Sequence, residues 1–358
     1  MKFGVHFLLP CGAGQTPAAR YRDALAQGRL AEDLGFESVW PAEQHTIPSQ
    51  SVLSCPTLFL AALAARTETI LLGTAIVQLP LFHPLRVAEE ICTLDVISGG
   101  RAELGVGRGT HPAHYAGFGA DLAVSRGRLE EGLDYLRAAL PGRPFDFQGS
   151  NYTAEAVQVV PGPVQPGGPV IRLAANSADS FRAAGRAGIP VLTALHINPP
   201  AVLVRHLDIY HAARAEAGHR AAAPDDITVL APTFTARNEG EVARLMGPAV
   251  DHYTALMRTN LTTAIGRTGD PDGLFTRLLS GLDRLDLAAM RTEQAVFGTP
   301  ETCAETLASL AARLGTGRFL AWFDFVGTTP AAEVERSMRL FAAEVAPRLA
   351  TPAASSID

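Results

Sequence analysis

The chain has 358 residues, of which 47% are hydrophobic and 18% charged, and its formal net charge is −6. These values describe a globular protein with a large core. They exclude a membrane span and, without a basic tract, make nucleic acid a poor candidate partner. The four cysteines lie far apart with no CxxC pair. Together with the absence of a signal-peptide pattern, this predicts a reducing compartment, the cytoplasm.

Short β-rich runs alternate with amphipathic helical stretches along the chain. Eight strands, each followed by a helix, predict an α/β fold of the (β/α)8 TIM barrel type with insertions. The predicted strands are 2–9, 38–42, 70–79, 102–107, 170–175, 190–197, 227–235 and 318–325. The predicted helices are 17–34, 57–66, 85–97, 125–140, 177–187, 201–217, a helix from 239 onward, and 331–349.

One barrel domain is predicted over residues 1–350, with a C-terminal tail at 351–358. A typical barrel needs roughly 250 residues, so the chain has room for insertions. We place them near 145–168, where a hairpin could precede a rigid Pro- and Gly-rich connector, and near 261–296. The second insertion has no clear strand, which fits either a mobile lid or a solvated helical excursion.

Polar residues that directly follow the strands are the candidate site, because barrel enzymes place their active sites at the C-terminal strand ends. Glu43, Gln44 and His45 follow strand two. The histidines after the strands lie on separate elements without ligand spacing, so no metal site is predicted. No GxSxG or Ser-His-Asp pattern supports hydrolysis. The remaining candidates after the strands are Arg108, His111, His114, Asn176, Ser177, Ser180, His196, Asp324 and Phe325.

The segment from Asn176 to Ser180 has the features of a phosphate site. Ser177 lies where a strand gives way to a helix and Ser180 lies one turn later, so backbone N–H groups, the helix dipole and two hydroxyls converge there. Arg108, which follows Gly107 on the neighbouring strand, would supply the positive charge. Two other readings stay open: Ser177 as an ordinary helix cap, and Arg108 as a partner in a surface ion pair.

The chain resembles the luciferase-like flavin monooxygenases, and bacterial luciferase subunits in particular. The resemblance runs nearly end to end, and the order and spacing of its segments make it specific. The segments are MKFGVHFLL, AEDLGFESVWPAEQH, LLGTAIVQLPLFHPLRVAEEICTLDVISGGRAELGVGRG, VIRLAANSADSFRAAGRAGIPVL, FGTPETCAETLASLAARLG and MRLFAAEVAPRL.

The resemblance implies a barrel that binds reduced FMN, supplied by a separate reductase, and that uses molecular oxygen as co-substrate. It assigns the flavin phosphate to Arg108, Asn176, Ser177 and Ser180. It also implies a non-prolyl cis peptide between Ala75 and Ile76, beneath the flavin ring. An apolar or carbonyl-containing organic substrate would then be oxygenated through a flavin hydroperoxide, by hydroxylation or Baeyer–Villiger insertion.

Two positions depart from the family pattern. Gln44 stands where members commonly have a catalytic histidine, and glutamine cannot transfer a proton at neutral pH. His45 could act as the base or orient oxygen, or it could point into the barrel wall. Asn176 replaces a glutamate of luciferase, which leaves an anion site less acidic.

Two other functions are compatible with the sequence. One is a dehydrogenase that transfers hydride with FMN or a deazaflavin, and the other is a non-catalytic flavin-binding partner subunit. A homodimer or heterodimer is expected, with helices 57–66 and 85–97 as candidate contact surfaces. Candidate residues lining an apolar substrate pocket are Phe7, Trp40, Phe82, Phe118 and Phe325.

Overall fold

A closed barrel of eight parallel strands forms the centre of the protein. The computed structural model describes residues 1–12, 14–109, 111–268 and 274–350. The barrel strands are β1 (Lys2–Phe7), β2 (Ser38–Pro41), β3 (Leu71–Gly73), β5 (Ala102–Gly107), β8 (Val170–Ala174), β9 (Val191–Ala194), β10 (Ile227–Thr235) and β12 (Arg318–Trp322). They pair in that order, and β12 pairs with β1 to close the ring. The predicted (β/α)8 fold is therefore confirmed.

Four further strands lie outside this ring. Strand β4 (Val77–Gln78) pairs with β5, and β11 (Val296–Gly298) pairs with the end of β10. Strands β6 (Phe145–Gln148) and β7 (Thr153–Val157) form the antiparallel hairpin predicted in the first insertion.

The helices surround the barrel, and proline and glycine set many of their ends. Proline occupies the first turn of α1, α2, α3, α7 and α11, where its missing N–H is not needed; left-handed glycines end α3, α6 and α11. The bounds are α1 (Pro17–Asp33), α2 (Pro56–Ala64), α3 (Pro84–Ser98), α4 (Pro112–Gly117), α5 (Ser125–Ala139), α6 (Ala178–Ala187), α7 (Pro200–Glu216), α8 (Glu239–Thr268), α9 (Leu274–Leu282), α10 (Leu287–Glu293), α11 (Pro300–Leu314) and α12 (Ala331–Leu340). None of the described helices is long and apolar enough to span a membrane.

The third predicted strand, 70–79, is interrupted in the structure. Its two parts are β3 and β4, which both pair with β5, and between them residues 74–76 bulge over the face of β5. The Thr74 hydroxyl donates to the carbonyl of Gly105 at 2.8 Å and accepts from its N–H at 3.0 Å. A Cβ atom at Gly105 would collide with the Thr74 carbonyl oxygen, so glycine is required for this close approach of residues 74–76 to β5. The apolar run gives no signal of the break.

The second insertion, 261–296, is largely helical where it is described, and its last residue, Val296, begins β11. It contains the end of α8 together with α9 and α10, and residues 269–273 lie outside the described ranges, as does the predicted tail at 351–358. Strand β11 and helix α11 were not predicted, and the closing helix is shorter than expected. After α12 the chain continues as a π turn over 341–345 and a 3-10 turn over 346–349.

The barrel interior changes character along its axis. At the N-terminal end of the strands, Glu103 accepts hydrogen bonds from Arg172 and Arg318, and all three side chains are buried. Towards the C-terminal end the interior is apolar, with Trp40 and Trp322 in one cluster. Because side chains alternate along a strand, the intervening residues pack outward against the helices. The charged layer thus closes one end and leaves the other for a ligand.

Candidate functional site

Glu43, His45, Gln78 and His114 form a closed hydrogen-bonded ring at the C-terminal ends of the strands. His45 Nε2 lies 2.9 Å from Glu43 Oε1. The backbone N–H of His45 donates to His114 Nε2 at 3.3 Å, and His114 Nδ1 lies 3.0 Å from Gln78 Oε1. Gln78 closes the ring with two hydrogen bonds to Glu43. Its backbone N–H donates to Glu43 Oε1, and its side-chain amide donates to the backbone carbonyl oxygen of Glu43. The ring ties β2, β4 and α4 together.

The bonding pattern sets the tautomer of His114. Because Nε2 accepts from His45, the ring proton lies on Nδ1 and is donated to Gln78. Burial, with the nearby His111 and His45, lowers the pKa of His114 to about 4, so the ring is neutral at neutral pH. Burial raises the pKa of the Glu43 carboxyl, and the hydrogen bond from His45 opposes this shift.

His45 faces a side cavity of about 290 Å³ next to the barrel mouth. Its ring packs edge-on against Phe118 and Phe82, with centroid distances of 4.8 and 6.3 Å. Other residues lining the cavity are Glu43, Ser54, Cys55, Pro56, Thr57, Val77, Arg86, Val87 and Glu90. Gln44 is half-buried, and its Oε1 atom is buried with no hydrogen-bond partner in the described ranges.

A cluster of rings occupies the centre of the barrel mouth. Trp322, at the end of β12, packs edge-on against His6 of β1 at 5.7 Å and His196 at 5.4 Å. Tyr253 of α8 and Phe325 cover it. Burial, with the neighbouring His196, lowers the pKa of His6 to about 3, and burial lowers the pKa of His196 to about 4. Both imidazoles are therefore neutral at pH 7.

The predicted phosphate segment forms the start of α6. Ser177 and Ser180 make a reciprocal capping box, with each side chain bonded to the backbone N–H of the other residue. Ser180 Oγ also accepts from the N–H of Asn176, and Thr193 donates to Asn176 Oδ1. The capping reading of Ser177 is confirmed.

Arg108 lies on the strand next to this helix start. Strands β5 and β8 pair with Val106 opposite Leu173, so the residues after them end side by side. No hydrogen bond or ion pair of the half-buried guanidinium of Arg108 is found among the residues that the structure describes, whereas its carbonyl oxygen accepts from the Tyr115 hydroxyl. Within the described residues, the prediction that Arg108 forms a surface ion pair is therefore wrong.

The segment between β3 and β4 lies beside the same strand ends. The peptide bond between Ala75 and Ile76 is cis, as the resemblance implied. The side chain of Ile76 lies over Gly107, where a Cβ atom would collide with it and would approach Ala174 to 3.0 Å. Small residues on β5 and β8 thus allow residues 74–76 to approach these two strands closely.

Comparison with known proteins agrees with this arrangement. Residues 1–317 match the family described as luciferase-like monooxygenase. The chain belongs to the luciferase-like monooxygenase family. The alkanal monooxygenase alpha chain of Photorhabdus luminescens is 27% identical over 363 residues, covering 98% of this chain and 97% of that protein. The uncharacterized protein y4wF of Sinorhizobium fredii is 38% identical over 205 residues, covering 57% of this chain and 58% of that protein.

Solved structures with this fold include two monooxygenases. Monooxygenase RslO1 from Streptomyces bottropensis has a TM-score of 0.83 at 28% identity and covers 98% of this chain and 100% of its own. The oxygenating constituent of 3,6-diketocamphane monooxygenase from Pseudomonas putida, a type II Baeyer–Villiger monooxygenase solved in complex with FMN, shares the fold at 22% identity. Its TM-score is 0.79, and the match covers 98% of this chain and 99% of that chain. Family membership confirms the resemblance and the predicted enzyme class, a flavin-dependent monooxygenase.

In this luciferase-like monooxygenase, the predicted lining residues lie in three different places: the barrel-mouth cluster, the side cavity, and the core between the barrel and its helices. Trp40 and Phe325 belong to the barrel-mouth cluster, and Phe82 and Phe118 line the side cavity. The prediction for Phe7 is wrong, because Phe7 points outward and packs against Phe59 of α2. Alternation along β1 gives the reason, since the inward neighbour is His6.

Several residues of the site were missed by the sequence reasoning. Gln78 and Trp322 lie in predicted strands, and His6 lies in the first predicted strand, where only Phe7 is a candidate lining residue. Their signal in the sequence is a polar or indole side chain at an inward position of a barrel strand. Asp324, which was a candidate, forms a buried ion pair with Arg20.

Proposed function

We propose that this protein is a two-component monooxygenase, which uses reduced FMN from a separate reductase and molecular oxygen to oxygenate an apolar or carbonyl-containing organic substrate. The observation that carries the proposal is Arg108. Its guanidinium is unpaired among the described residues and follows a strand that ends beside the start of α6. A cation next to a helix N-terminus is suited to a phosphate group.

The residues at this end of the barrel fit FMN. Arg108 supplies the charge, and the N–H groups of Asn176 and Ser177 would bind the phosphate once the side chain of Ser180 rotates away from them. Gly107 lets the side chain of Ile76 lie directly on β5, and the Ala75–Ile76 segment is the surface proposed to contact the ring system. When bound in reduced form, FMN supplies the electrons that activate oxygen.

Glu43, Gln44 and His45 are proposed as the polar residues that serve the reaction. The imidazole of His45 is the member of this trio proposed as general acid or base, and Glu43 holds its orientation through the 2.9 Å bond. Gln44 cannot transfer a proton, but its unpartnered Oε1 can accept a hydrogen bond from a bound ligand. His45 reaches the side cavity and not the centre of the barrel mouth, which assigns it a supporting position.

The described surface also suits a dimer. Leu58 of α2 is 70% exposed, and Val96 and Ile97 of α3 are exposed too. These helices pack on each other, so one partner could cover both. We propose residues 1–350 as one domain that pairs through α2 and α3, either with itself or with a related chain.

The test is oxygen incorporation with purified protein and chemically reduced FMN. With ¹⁸O₂ and a panel of apolar ketones, aldehydes and aromatic compounds, the proposal predicts a product that carries one ¹⁸O atom. Turnover without oxygen would favour the hydride-transfer dehydrogenase. Failure to bind FMN at micromolar concentrations, with no change in Arg108→Ala, would favour a non-catalytic subunit.

A further inference from the structure

The barrel mouth contains an unusual group of unpartnered polar atoms. Trp322 Nε1, Trp40 Nε1, His6 Nδ1 and His196 Nδ1 are all shielded from solvent and have no hydrogen-bond partner in the described part of the chain. The side chains of His6 and Trp322 are 5% and 4% exposed. Buried donors and acceptors in proteins are almost always paired, because an unpaired one costs about 1–3 kcal/mol. Four together indicate a site for a polar group of a ligand.

Three of these atoms belong to rings that pack together. Trp322 packs edge-on against both His6 and His196, at centroid distances of 5.7 and 5.4 Å. The three residues come from different elements, namely β12, β1 and the segment after β9. Such convergence of ring nitrogens from separate strand ends is typical of a binding site and not of local capping.

Two members of this group, His6 and Trp322, lie across the barrel from the residues proposed for FMN, and the third, His196, follows β9, the neighbour of β8. Around the ring the strands run β1, β2, β3, β5, β8, β9, β10 and β12. Arg108, the cis peptide and α6 follow β5, β3 and β8, which are consecutive. His6 and Trp322 lie on the neighbouring strands β1 and β12, across the barrel from β5 and β8. A substrate bound there would face the flavin across the mouth.

The chemistry of the group selects an uncharged oxygen. The indole N–H is a donor only, and a neutral imidazole offers one donor and one acceptor. Burial keeps both imidazoles neutral at pH 7, since the pKa of His6 falls to about 3 and that of His196 to about 4. A carboxylate placed there would lose its hydration without gaining a cation from these rings. The surrounding rings of Trp40, Tyr253 and Phe325 suit an apolar body.

We propose that His6, His196 and Trp322 form a substrate subsite that binds the carbonyl oxygen of a neutral, largely apolar ketone or aldehyde through their ring N–H groups. This inference rests on the proposed function for its reaction, but the binding step can be measured without flavin. His6, His196 and Trp322 are assigned here as specificity-determining residues, distinct from Glu43, Gln44 and His45.

The protein provides its own probe for this site. The chain has two tryptophans, and Trp40 and Trp322 both lie in the mouth cluster. Titration of the full chain with 2-decanone, followed by tryptophan emission, therefore reports occupancy of the mouth directly. We expect saturable quenching, and at least tenfold weaker binding of decanoate at pH 7.5. Equal or tighter binding of decanoate, or no binding of 2-decanone with or without reduced FMN, would overturn the proposal.

Substitutions can separate the contribution of hydrogen bonding to 2-decanone affinity from the contribution of ring shape. Trp322→Phe and His6→Phe keep a ring and remove a donor, so each should weaken 2-decanone binding about tenfold, as expected for the loss of one hydrogen bond worth roughly a factor of ten. His6→Gln retains an N–H group and should recover part of the affinity. His206→Phe on α7 is the matched control, because that histidine also has an unpartnered Nδ1 but packs on Phe181 outside the barrel.

A spectroscopic measurement distinguishes the subsite from simple burial. The infrared carbonyl stretch of ¹³C-labelled 2-decanone should shift to lower frequency on binding to the wild-type protein, and should move back towards its value in hydrocarbon solvent in Trp322→Phe and His6→Phe. No shift in the wild-type protein would refute the hydrogen bonds. Since FMN binding is expected to be unchanged in these variants, failure of this inference leaves the FMN proposal standing, and loss of FMN binding in Arg108→Ala alone leaves the subsite standing.

Discussion

The backbone N–H of His45 donates to the imidazole of His114, which in turn bonds to Gln78. His114 is buried, so its ring nitrogens cannot exchange these partners for water without opening the structure. His114→Phe should lower the free energy of unfolding by about 1–3 kcal/mol, because it leaves the N–H of His45 and the side-chain oxygen Oε1 of Gln78 without partners. Urea denaturation measures this change. His211→Phe, on the exposed face of α7, is the control and should stay within about 0.5 kcal/mol.

His45 is the proposed general acid or base among the three residues after β2. His45→Ala should lower kcat by a factor of about 10² or more if it moves a proton in the reaction, which is the usual range for such residues. Glu43→Gln should give a smaller loss, because the glutamine can still hold the ring in place. Steady-state oxygenation assays measure both. A change of less than threefold in His45→Ala would show that His45 has no role in proton transfer.

The buried histidines should make the fold sensitive to acid. His6 has a pKa of about 3 in the folded chain, below its ordinary value, so the unfolded chain binds a proton first as the pH falls. Its contribution to stability is complete above about pH 6.5 and is lost as the pH falls towards the folded value. Between pH 7 and pH 5 this loss is about 2 kcal/mol for His6.

His6→Phe should remove that share of the pH dependence. Urea midpoints at pH 7 and pH 5 for the wild-type protein and the variant give the comparison, since all other groups contribute equally to both. The difference between the two pH values should be smaller in His6→Phe by about 2 kcal/mol. The same loss in both proteins would mean that His6 is protonated in the folded state.

The charged layer at the N-terminal end of the barrel should be structural only. Glu103 lies 2.7 Å from Arg172 and 3.0 Å from Arg318, and breaking a buried ion pair from one side commonly costs about 3–5 kcal/mol. Glu103→Gln should therefore destabilise the fold by this amount while FMN affinity stays unchanged. Asp23→Asn removes an exposed pair with Arg22 and should cost less than about 1 kcal/mol. Weakened FMN binding in folded Glu103→Gln would contradict this assignment.

The sequence predicted the barrel well because its signals are local. Alternating strands, helical periodicity and glycine or proline ends repeat eight times, so the topology follows from counting. The break between β3 and β4 could not be predicted from the residues of 70–79 alone, because the close approach at Thr74 depends on Gly105 of a different strand. Only the resemblance pointed to the cis peptide there.

Only part of the site could be predicted from the sequence, because some of its residues are identified by strand boundaries and others are not. Residues that directly follow strands, such as Arg108 and His45, can be identified from strand boundaries. Gln78, His6 and Trp322 lie within strands, and their inward orientation depends on the register of the closed ring. The capping box at Ser177 shows a further limit, since one pattern of hydroxyls serves both a helix cap and an anion site.

The binding of reduced FMN compared with reduced riboflavin tests the central claim most directly. The two flavins differ only in the phosphate, so anaerobic titration isolates the contribution of Arg108 and the start of α6. We predict that the wild-type protein binds reduced FMN at least tenfold more tightly than reduced riboflavin, and that Arg108→Ala abolishes the difference. Equal affinities for the two flavins in the wild-type protein, or an unchanged preference in Arg108→Ala, would contradict the account.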